Sequence, residues 1–185
     1  IVETFVLNQI HLQTLLASKA TRLVAAAAGR PVVDFGARRI HGIDAAVKAT
    51  RAFAIAGVSA TSNMLGGYTY GLSVIGTMAH SYIQAFSSEA EAFRAFVRHY
   101  PHTTLLVDTY DTLDGVRNVV GLAEELGEEF AIQAVRLDSG DVASLAFDAR
   151  KILDEAGLTQ VQIFVSGGLD EWSIAAVIAS GAPVN

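Results

Sequence analysis

The sequence predicts an α/β protein built on parallel strands, and three observations lead to this class. Short apolar runs that suit buried strands alternate along the chain with segments whose apolar residues recur at helical spacing. The connections between them are only a few residues long, which calls for parallel strands joined by right-handed crossovers. The composition agrees, since 51% of the 185 residues are hydrophobic, 17% are charged and the mean hydropathy is +0.38. Such values are typical of strands covered by helices on both faces.

The pattern contains six complete strands and the beginning of a seventh. We therefore expect a parallel α/β barrel that is TIM-like but incomplete or irregular, with about six to seven βα units. Residues 1–185 would form a single barrel core. A doubly wound open sheet is the second choice.

The first half of the chain is predicted to contain two helices and three strands. The helices span about 2–28 and 44–56, and the strands span 32–36, 58–61 and 72–76. Gly29-Arg30-Pro31 ends the first helix, and Gly57 closes the second. Gly66-Gly67 is predicted to be a turn.

The second half is marked by clearer helix boundaries. Ser88 and Glu91 form a capping-box pattern, and Pro101 ends the helix that follows. Two further helices are predicted after the strands at 104–107 and 130–137, and they end near Gly127 and Gly157. A last strand at 161–165 leads to a helix that Asp170 is expected to cap and that ends near Ser180.

Composition and charge exclude several classes of function. The net charge of −6 argues against non-specific binding to nucleic acid. Cysteine is absent, so no disulfide or thiolate metal site is expected, and no apolar run approaches the ~18 residues that span a membrane. These observations favour a cytoplasmic protein. Because Ile1 falls directly into a helical pattern and a strand begins near Asn185, we also expect a fragment of a longer protein.

The central predicted strand, 130–137, carries the strongest functional signal. It ends in Arg136-Leu137-Asp138-Ser139-Gly140-Asp141, and ligands of parallel α/β proteins bind at the carboxyl ends of strands. The other predicted strand ends also carry polar groups: Arg38 and Arg39, Thr61-Ser62-Asn63, Thr77 and His80, Asp108 and Asp111, and Ser166-Gly167-Gly168. An edge with several carboxylates, arginines and a Gly-Gly turn predicts a site for a phosphorylated sugar and a metal ion.

Five segments in this order resemble nicotinate phosphoribosyltransferases. They are 33–39 (VDFGARR), 60–63 (ATSN), 76–81 (GTMAHS), 106–112 (LVDTYDT) and 136–141 (RLDSGD). The resemblance runs from Ile1 to Asn185, but it covers only the middle of such an enzyme.

The resemblance implies transfer of a phosphoribosyl group from phosphoribosyl pyrophosphate to nicotinate, which yields nicotinate mononucleotide for NAD synthesis. It also implies coupled ATP hydrolysis through a phosphorylated histidine, a Mg²⁺ ion, and a homodimer with a shared active site.

The resemblance also assigns roles to residues. His80 corresponds to the phosphorylated histidine, and Asp108 and Asp138 to the catalytic carboxylates that would hold Mg²⁺. The residues matched to substrate binding are Phe35, Arg38, Thr61, Ser62, Asn63, Arg136, Ser139, Gly140, Asp141, Ser166, Gly167 and Gly168.

Several alternatives stay open at this point. Nicotinamide or quinolinate could replace nicotinate, although Ser62 stands where nicotinamide enzymes of this type carry an Asp, and a carboxylate there would repel nicotinate. The chain could also be a non-catalytic remnant that binds a phosphorylated sugar. Taken singly, His80 would be a structural histidine, and Asp111 and Asp141 would be helix caps.

Overall fold

The computed structural model describes residues 1–185, which form eight α-helices and six short strands. The helices are α1 (Val2–Ala26), α2 (Ile43–Ala56), α3 (Met64–Tyr70), α4 (His80–Ile83), α5 (Glu89–Val97), α6 (Thr112–Leu126), α7 (Val142–Glu155) and α8 (Glu171–Ala179). The strands are β1 (Val33–Asp34), β2 (Ala60–Thr61), β3 (Ser73–Val74), β4 (Thr104–Leu106), β5 (Ala134–Leu137) and β6 (Gln162–Val165). Short 3-10 helices cover Ala37–Arg39 and Gly127–Glu129. No helix combines the length and apolar character that crossing a bilayer requires.

All strand pairings are parallel, as the alternation of strands and helices predicts. The strands form two three-stranded sheets, in the orders β1-β2-β3 and β4-β5-β6. The chain divides into two compact units, each containing one sheet. The first consists of Ile1–Gly76 with Asp170–Ala175, and the second of Thr77–Leu169 with Ala176–Asn185.

In the first unit, α1 and α2 pack through small side chains. Ala20 of α1 and Ala49 and Ala52 of α2 are at most 2% exposed. Lys19 and Arg22 of α1 form ion pairs with Glu171, and the hydrogen bond from Lys19 is the main reason that the pKa of Glu171 falls to about 2. These ion pairs join α1 to the first turn of α8.

The predicted turn at Gly66-Gly67 is wrong, because both glycines are buried inside α3. Asn63 caps this helix by accepting a hydrogen bond from the backbone N–H of Gly66 at 3.0 Å. A Cβ at Gly66 would lie 2.3 Å from the hydroxyl of Thr50 in α2. The glycines therefore serve close helix packing, a tertiary requirement that overrides their usual preference for turns.

The second unit holds the larger core, in which α5, α6 and α7 pack with the β4-β5-β6 sheet. Phe93 of α5, Val119 of α6, Leu153 of α7 and Ile163 of β6 are fully buried. Gly115 lets α6 approach β4 closely, since a Cβ there would lie 2.0 Å from the carbonyl oxygen of Val107.

The helix N-termini confirm most of the predicted capping. Ser88 accepts from the N–H of Glu91 at 3.2 Å, but the Glu91 carboxylate bonds to the Ser87 hydroxyl, so the reciprocal half of the capping box is not formed. Asp111, Asp141 and Asp170 cap α6, α7 and α8 by accepting from the N–H three residues later.

The strands are shorter than predicted, most clearly around the central one. β5 begins at Ala134 rather than Phe130, because the preceding 3-10 helix and an irregular segment occupy residues 127–133. The expected beginning of a seventh strand lies beside β6. There, the N–H of Asn185 donates to the carbonyl of Ile163 at 3.0 Å.

Candidate active site

The functional side chains of the second unit lie where β4, β5 and β6 end. Asp108 follows β4, Asp138 follows β5, and Ser166 follows β6. Because the three strands are parallel and adjacent, their carboxyl ends meet at one edge of the sheet. The structure therefore brings together three positions that are distant in sequence.

Asp108 is the most buried of these polar residues, at 8% exposure. Its Oδ2 accepts hydrogen bonds from the N–H of Asp138 at 3.0 Å and from the hydroxyl of Ser139 at 2.5 Å. Its Oδ1 is buried and has no hydrogen-bond partner within the protein. Asp108 thus fixes the loop after β5 with one oxygen and leaves the other without a partner in the protein.

Arg136 is held by three side chains around its guanidinium group. Nε donates to the Ser166 hydroxyl at 2.8 Å, Nη2 donates to Asp138 Oδ1 at 2.9 Å, and Nη1 donates to the hydroxyl of Thr77. The Arg136 side chain is only 14% exposed. Its planar group is therefore oriented before any ligand arrives, which suits recognition of phosphate or sugar oxygens.

Asp138 is surrounded by donors that favour its charged form. Burial by itself would raise the pKa of the carboxyl group. Hydrogen bonds from Ser166 and Arg136, together with the positive charge of Arg136, outweigh burial and hold the pKa of Asp138 below its usual value. Asp138 is therefore a carboxylate at neutral pH.

His80 lies at the first residue of α4, with its ring between the ends of β4 and β5. Nδ1 is 3.1 Å from the hydroxyl of Thr109, and Nε2 is 3.6 Å from Asp138 Oδ2. The His80 side chain is 41% exposed. An imidazole with one carboxylate partner and an open face is suited to nucleophilic chemistry or to binding an anion.

Two glycine loops complete the site of the second unit. Gly167 has a φ of +99°, and a Cβ there would lie 1.9 Å from the carbonyl oxygen of Asp138. The loop after β6 therefore rests directly on the loop after β5. Gly168 and Gly140 also have positive φ values, and exposed loops of this kind can present backbone N–H groups to a phosphate.

The residues predicted from the first unit are placed around the ends of β1 and β2. Thr61 is fully buried, and its hydroxyl donates to Asp34 Oδ2 at 2.8 Å. The N–H of Ser62 donates to the carbonyl of Asp34 at 2.8 Å, which fixes that loop beside β1. Phe35 is half-buried, and Arg38 is exposed in the 3-10 helix that follows β1.

Asn63 has two roles within the first unit. Besides capping α3, it lines a mainly apolar pocket of about 340 Å³ together with Ile40, Ile43, Val47 and Leu65. The pocket lies within one unit, next to the 3-10 helix that carries Arg38.

The donor set of the second unit is compatible with Mg²⁺, although the protein alone does not form a complete metal cage. No group of three or more His, Cys, Asp or Glu side chains is arranged to hold a metal ion. Mg²⁺ commonly binds through one or two carboxylates, with substrate phosphates and waters as the remaining ligands. The unpartnered Oδ1 of Asp108 and the neighbouring carboxylate of Asp138 fit that pattern.

The sequence analysis assigned no role to four residues that contact predicted site residues or carry a charge that acts on them: Asp34, Thr77, Glu89 and Thr109. Thr77 accepts a hydrogen bond from Arg136, Thr109 lies within hydrogen-bond distance of His80, and Asp34 accepts from Thr61 of β2. Glu89 is a carboxyl group at 6% exposure, and burial, together with the charge of Asp108, raises its pKa. Thr109 and Asp34 lie inside motifs that resemble known ones, but their side-chain partners are tertiary contacts that sequence does not reveal.

The fold and the site together define a phosphoribosyltransferase-type domain. The family model described as "Quinolinate phosphoribosyl transferase, C-terminal domain" matches residues 16–184. The chain therefore belongs to this family.

Relatives with assigned functions show which enzymes of this family the chain resembles. The chain is 61% identical to a nicotinate phosphoribosyltransferase of Mycobacterium tuberculosis and 41% identical to the nicotinate phosphoribosyltransferase of Bacillus subtilis, in each case over its full length. It covers 40% and 38% of those two proteins, respectively. The chain thus spans well under half the length of these relatives.

The chain also resembles solved structures of related enzymes. Human nicotinic acid phosphoribosyltransferase matches 94% of this chain and 46% of its own, with a TM-score of 0.87 and 27% identity. Nicotinate-nucleotide pyrophosphorylase from Pyrococcus furiosus matches 91% of this chain and 44% of its own, with a TM-score of 0.78 and 32% identity.

Proposed function

We propose that the full-length protein containing this chain transfers a phosphoribosyl group from phosphoribosyl pyrophosphate to nicotinate, which forms nicotinate mononucleotide for NAD synthesis. The observation that carries this proposal is the hydrogen-bonded group of Asp108, Arg136, Asp138 and Ser166 at the ends of β4, β5 and β6. The 61% identity to a mycobacterial nicotinate phosphoribosyltransferase supports the choice of nicotinate.

In this proposal the second unit binds the phosphorylated sugar. Arg136, oriented by its three side-chain partners, offers its fork to phosphate or ribose oxygens, and Asp138 accepts from ribose hydroxyls. Ser139, Gly140 and Asp141 border the ribose. Backbone N–H groups of the Ser166-Gly167-Gly168 loop cradle the 5′-phosphate.

The chemical step depends on electrostatic stabilisation more than on proton transfer. The bond between the anomeric carbon and pyrophosphate breaks, and the nitrogen of nicotinate supplies the electron pair for the new bond. Positive charge develops on the ribose ring in the transition state, and the buried carboxylate of Asp108 would stabilise this charge. No general base is needed, because the ring nitrogen of nicotinate carries no proton to remove.

Mg²⁺ is part of the proposal, with Asp108 and Asp138 as its protein ligands. When bound, the ion would neutralise charge on the leaving pyrophosphate. The unpartnered Oδ1 of Asp108 supports this assignment.

ATP coupling through His80 is a further part of the proposal. A ring nitrogen would attack the γ-phosphorus of ATP, forming an N–P bond as the bond to ADP breaks, and ADP leaves with the electron pair. The Asp138 carboxylate near Nε2 would stabilise the ring while the phosphoryl group is carried.

Recognition of nicotinate is assigned to the first unit. Phe35 would stack on the pyridine ring, Arg38 would bind its carboxylate or a phosphate, and Ser62 and Asn63 would donate hydrogen bonds. Thr61 would act through the loop it stabilises, because its hydroxyl is engaged by Asp34.

Three larger features complete the proposal. Residues 1–185 would belong to one parallel α/β barrel, the full-length protein would work as a homodimer with a shared active site, and it would act in the cytoplasm. The resemblance to nicotinate phosphoribosyltransferases supports all three. A crystal structure of the full-length dimer would test the barrel and the shared site directly.

The decisive experiment measures formation of the pyridine mononucleotide and pyrophosphate by the full-length protein from phosphoribosyl pyrophosphate in the presence of Mg²⁺. Nicotinate, nicotinamide and quinolinate are compared as acceptors, each with and without ATP. We expect product with nicotinate, stimulation by ATP in the wild type, and loss of that stimulation in His80→Ala. His99→Ala is the matched control, because His99 lies exposed after α5.

Each outcome has a definite meaning. Activity with quinolinate alone would support the second candidate function, which the family model's description favours. If product forms and ATP has no effect, phosphoribosyl transfer is supported and phosphorylation of His80 is contradicted. Absence of product with every acceptor would contradict an enzymatic role and favour a sugar-phosphate-binding remnant.

A further inference from the structure

Thr109 is placed to control the ring of His80. Its hydroxyl oxygen lies 3.1 Å from Nδ1 of His80, whereas Nε2, across the ring, lies 3.6 Å from Asp138 Oδ2. Both nitrogens therefore face a side chain from a strand end, one from the β4 loop and one from the β5 loop. Nothing in the capping of α4 fixes the ring, since its N-cap residue, Ala79, makes no side-chain hydrogen bond.

The two partners of the ring differ in what they can do. A carboxylate only accepts hydrogen bonds, so Asp138 favours the tautomer of His80 that carries its proton on Nε2. A hydroxyl both donates and accepts. Thr109 can therefore bind Nδ1 in either tautomer, so its contact fixes the orientation of the ring rather than the position of its proton.

The position of Thr109 itself is well determined. It directly follows Asp108, whose Oδ2 is bound to the N–H of Asp138 and the hydroxyl of Ser139. These bonds join the loops that carry the two partners of His80. Threonine is also branched at Cβ, which restricts its χ1 rotamers.

We propose that Thr109 is a positioning residue that holds the His80 imidazole between the β4 and β5 loops through its contact with Nδ1. The inference rests on the proposed function for its consequence, which is efficient phosphorylation of His80 by ATP. The contact itself does not depend on that function, so it can be tested separately.

The first test observes the ring without any substrate. Full-length protein labelled with ¹⁵N-histidine is studied by two-bond ¹H–¹⁵N NMR at a pH where imidazole is neutral, and His80→Gln identifies the His80 signals. We expect the wild type and Thr109→Ser to show a hydrogen-bonded Nδ1. In Thr109→Val, which has the same shape without the hydroxyl, the Nδ1 resonance should move to that of a nitrogen without a hydrogen-bond partner.

A matched control separates this effect from a general loss of structure. Thr69→Val removes an exposed hydroxyl that bonds only to a backbone carbonyl of α3, and it should leave the His80 signals unchanged. The proposal is overturned if Thr109→Val gives the same Nδ1 resonance as the wild type. It is also overturned if Nδ1 of the wild type shows no hydrogen bond.

The second test connects the contact to function. The rate at which labelled phosphate from ATP enters His80 should fall about 10-fold or more in Thr109→Val, the loss typical of removing an orienting partner. Thr109→Ser should restore most of the rate, and the KM for ATP should change little. If the wild type takes up no label, the phosphohistidine part of the proposed function fails, while the NMR result still decides the role of Thr109.

Discussion

Arg136 and Asp138, only two residues apart, form an ion pair at 2.9 Å between Nη2 and Oδ1. Side chains two positions apart on a strand point to the same face, and here the end of β5 places a cation and an anion side by side. Ser166 of the neighbouring β6 loop binds both groups. The charged centre of the site is therefore assembled before substrate binds, and its geometry depends on the planar fork of arginine.

Arg136→Lys should show this dependence. Lysine keeps the charge but cannot reach Thr77, Ser166 and Asp138 together. We expect kcat/KM for phosphoribosyl pyrophosphate to fall by about 100-fold, because positioned charge at the reacting group is worth that much in comparable sites. Unfolding in urea should show a loss of roughly 1–3 kcal/mol from the unpaired buried groups.

Arg117→Lys is the control for this substitution. Arg117 pairs with Asp114 at the exposed surface of α6, and such pairs contribute about 0–1 kcal/mol. Equal effects of the two substitutions on kcat/KM would contradict a special role for the Arg136 fork.

Asp108→Asn tests the buried carboxylate. The substitution keeps the shape and can keep the hydrogen bonds from Asp138 and Ser139, but it removes the negative charge that the proposed function assigns to the reacting carbon. We expect kcat/KM to fall by about 100-fold or more, with circular dichroism showing a native fold. Asp111→Asn should behave as the wild type, since asparagine caps a helix as well as aspartate does. Full activity of Asp108→Asn would remove this residue from the mechanism.

Glu89→Gln should stabilise the protein in a pH-dependent manner. Burial, partly offset by the hydrogen bond from Asn118, raises the pKa of Glu89 above its ordinary value of 4.5. The folded state then binds the proton more tightly than the unfolded state, so the stability of the wild type decreases as pH rises through the folded-state pKa. The gain in urea midpoint from Glu89→Gln should be largest at a pH well above that pKa and should shrink as the pH falls towards 4.5.

The exposed Glu124 of α6 provides the comparison, and Glu124→Gln should give a small, nearly constant change over the same pH range. A gain for Glu89→Gln that does not depend on pH would show that Glu89 is not the titrating group.

Two glycines of one helix should respond in opposite directions to alanine. A Cβ at Gly115 would meet the Val107 carbonyl at 2.0 Å, so Gly115→Ala should cost about 1–3 kcal/mol or more through forced separation of α6 and β4. A Cβ added at Gly121 of the same helix would meet no atom within 4 Å, and Gly121→Ala should stabilise by about 0.5–1 kcal/mol. Thermal unfolding of both variants would check the expected difference in sign.

Ser62→Asp should change the preference between acceptors. A carboxylate at this position would repel nicotinate and could accept a hydrogen bond from an amide. We expect kcat/KM for nicotinate to fall by more than about 10-fold, while use of nicotinamide is unchanged or increased. Ser62→Asn, which adds similar bulk without charge, is the control. If both variants lose nicotinate activity equally, size rather than charge determines the effect.

The sequence was sufficient for the order of the elements and for most of the residues at the strand ends. Parallel pairing follows from alternation and short connections, and each βα junction then has a known direction. This is why Asp108, Arg136 and Asp138 could be expected at one edge of a sheet. The helix caps at Asp111 and Asp141 could be predicted equally well, since a cap depends on local geometry alone.

Other features depend on tertiary contacts that no local pattern carries. Gly66 and Gly67 have the composition of a turn, yet close packing on Thr50 places them inside a helix. Thr109 and Thr77 are ordinary hydroxyls in the sequence, and only the folded chain shows that they face His80 and Arg136. The strands were predicted too long for the same reason, because the pairing with neighbouring strands determines where each strand begins and ends.

The strand-end residues also share one register. Leu106 pairs with Arg136, and Arg136 pairs with Phe164, so Asp108, Asp138 and Ser166 each lie two positions beyond equivalent residues of the ladder. The three βα units therefore place these side chains at the same phase of the sheet. Lengthening a helix such as α6 by whole turns on its solvent side would leave that phase intact at the strand ends. A single residue inserted within β5 would instead turn Arg136 to the opposite face and separate it from Ser166. Natural variation in length among relatives should accordingly fall in the helices and their following loops rather than in the strands.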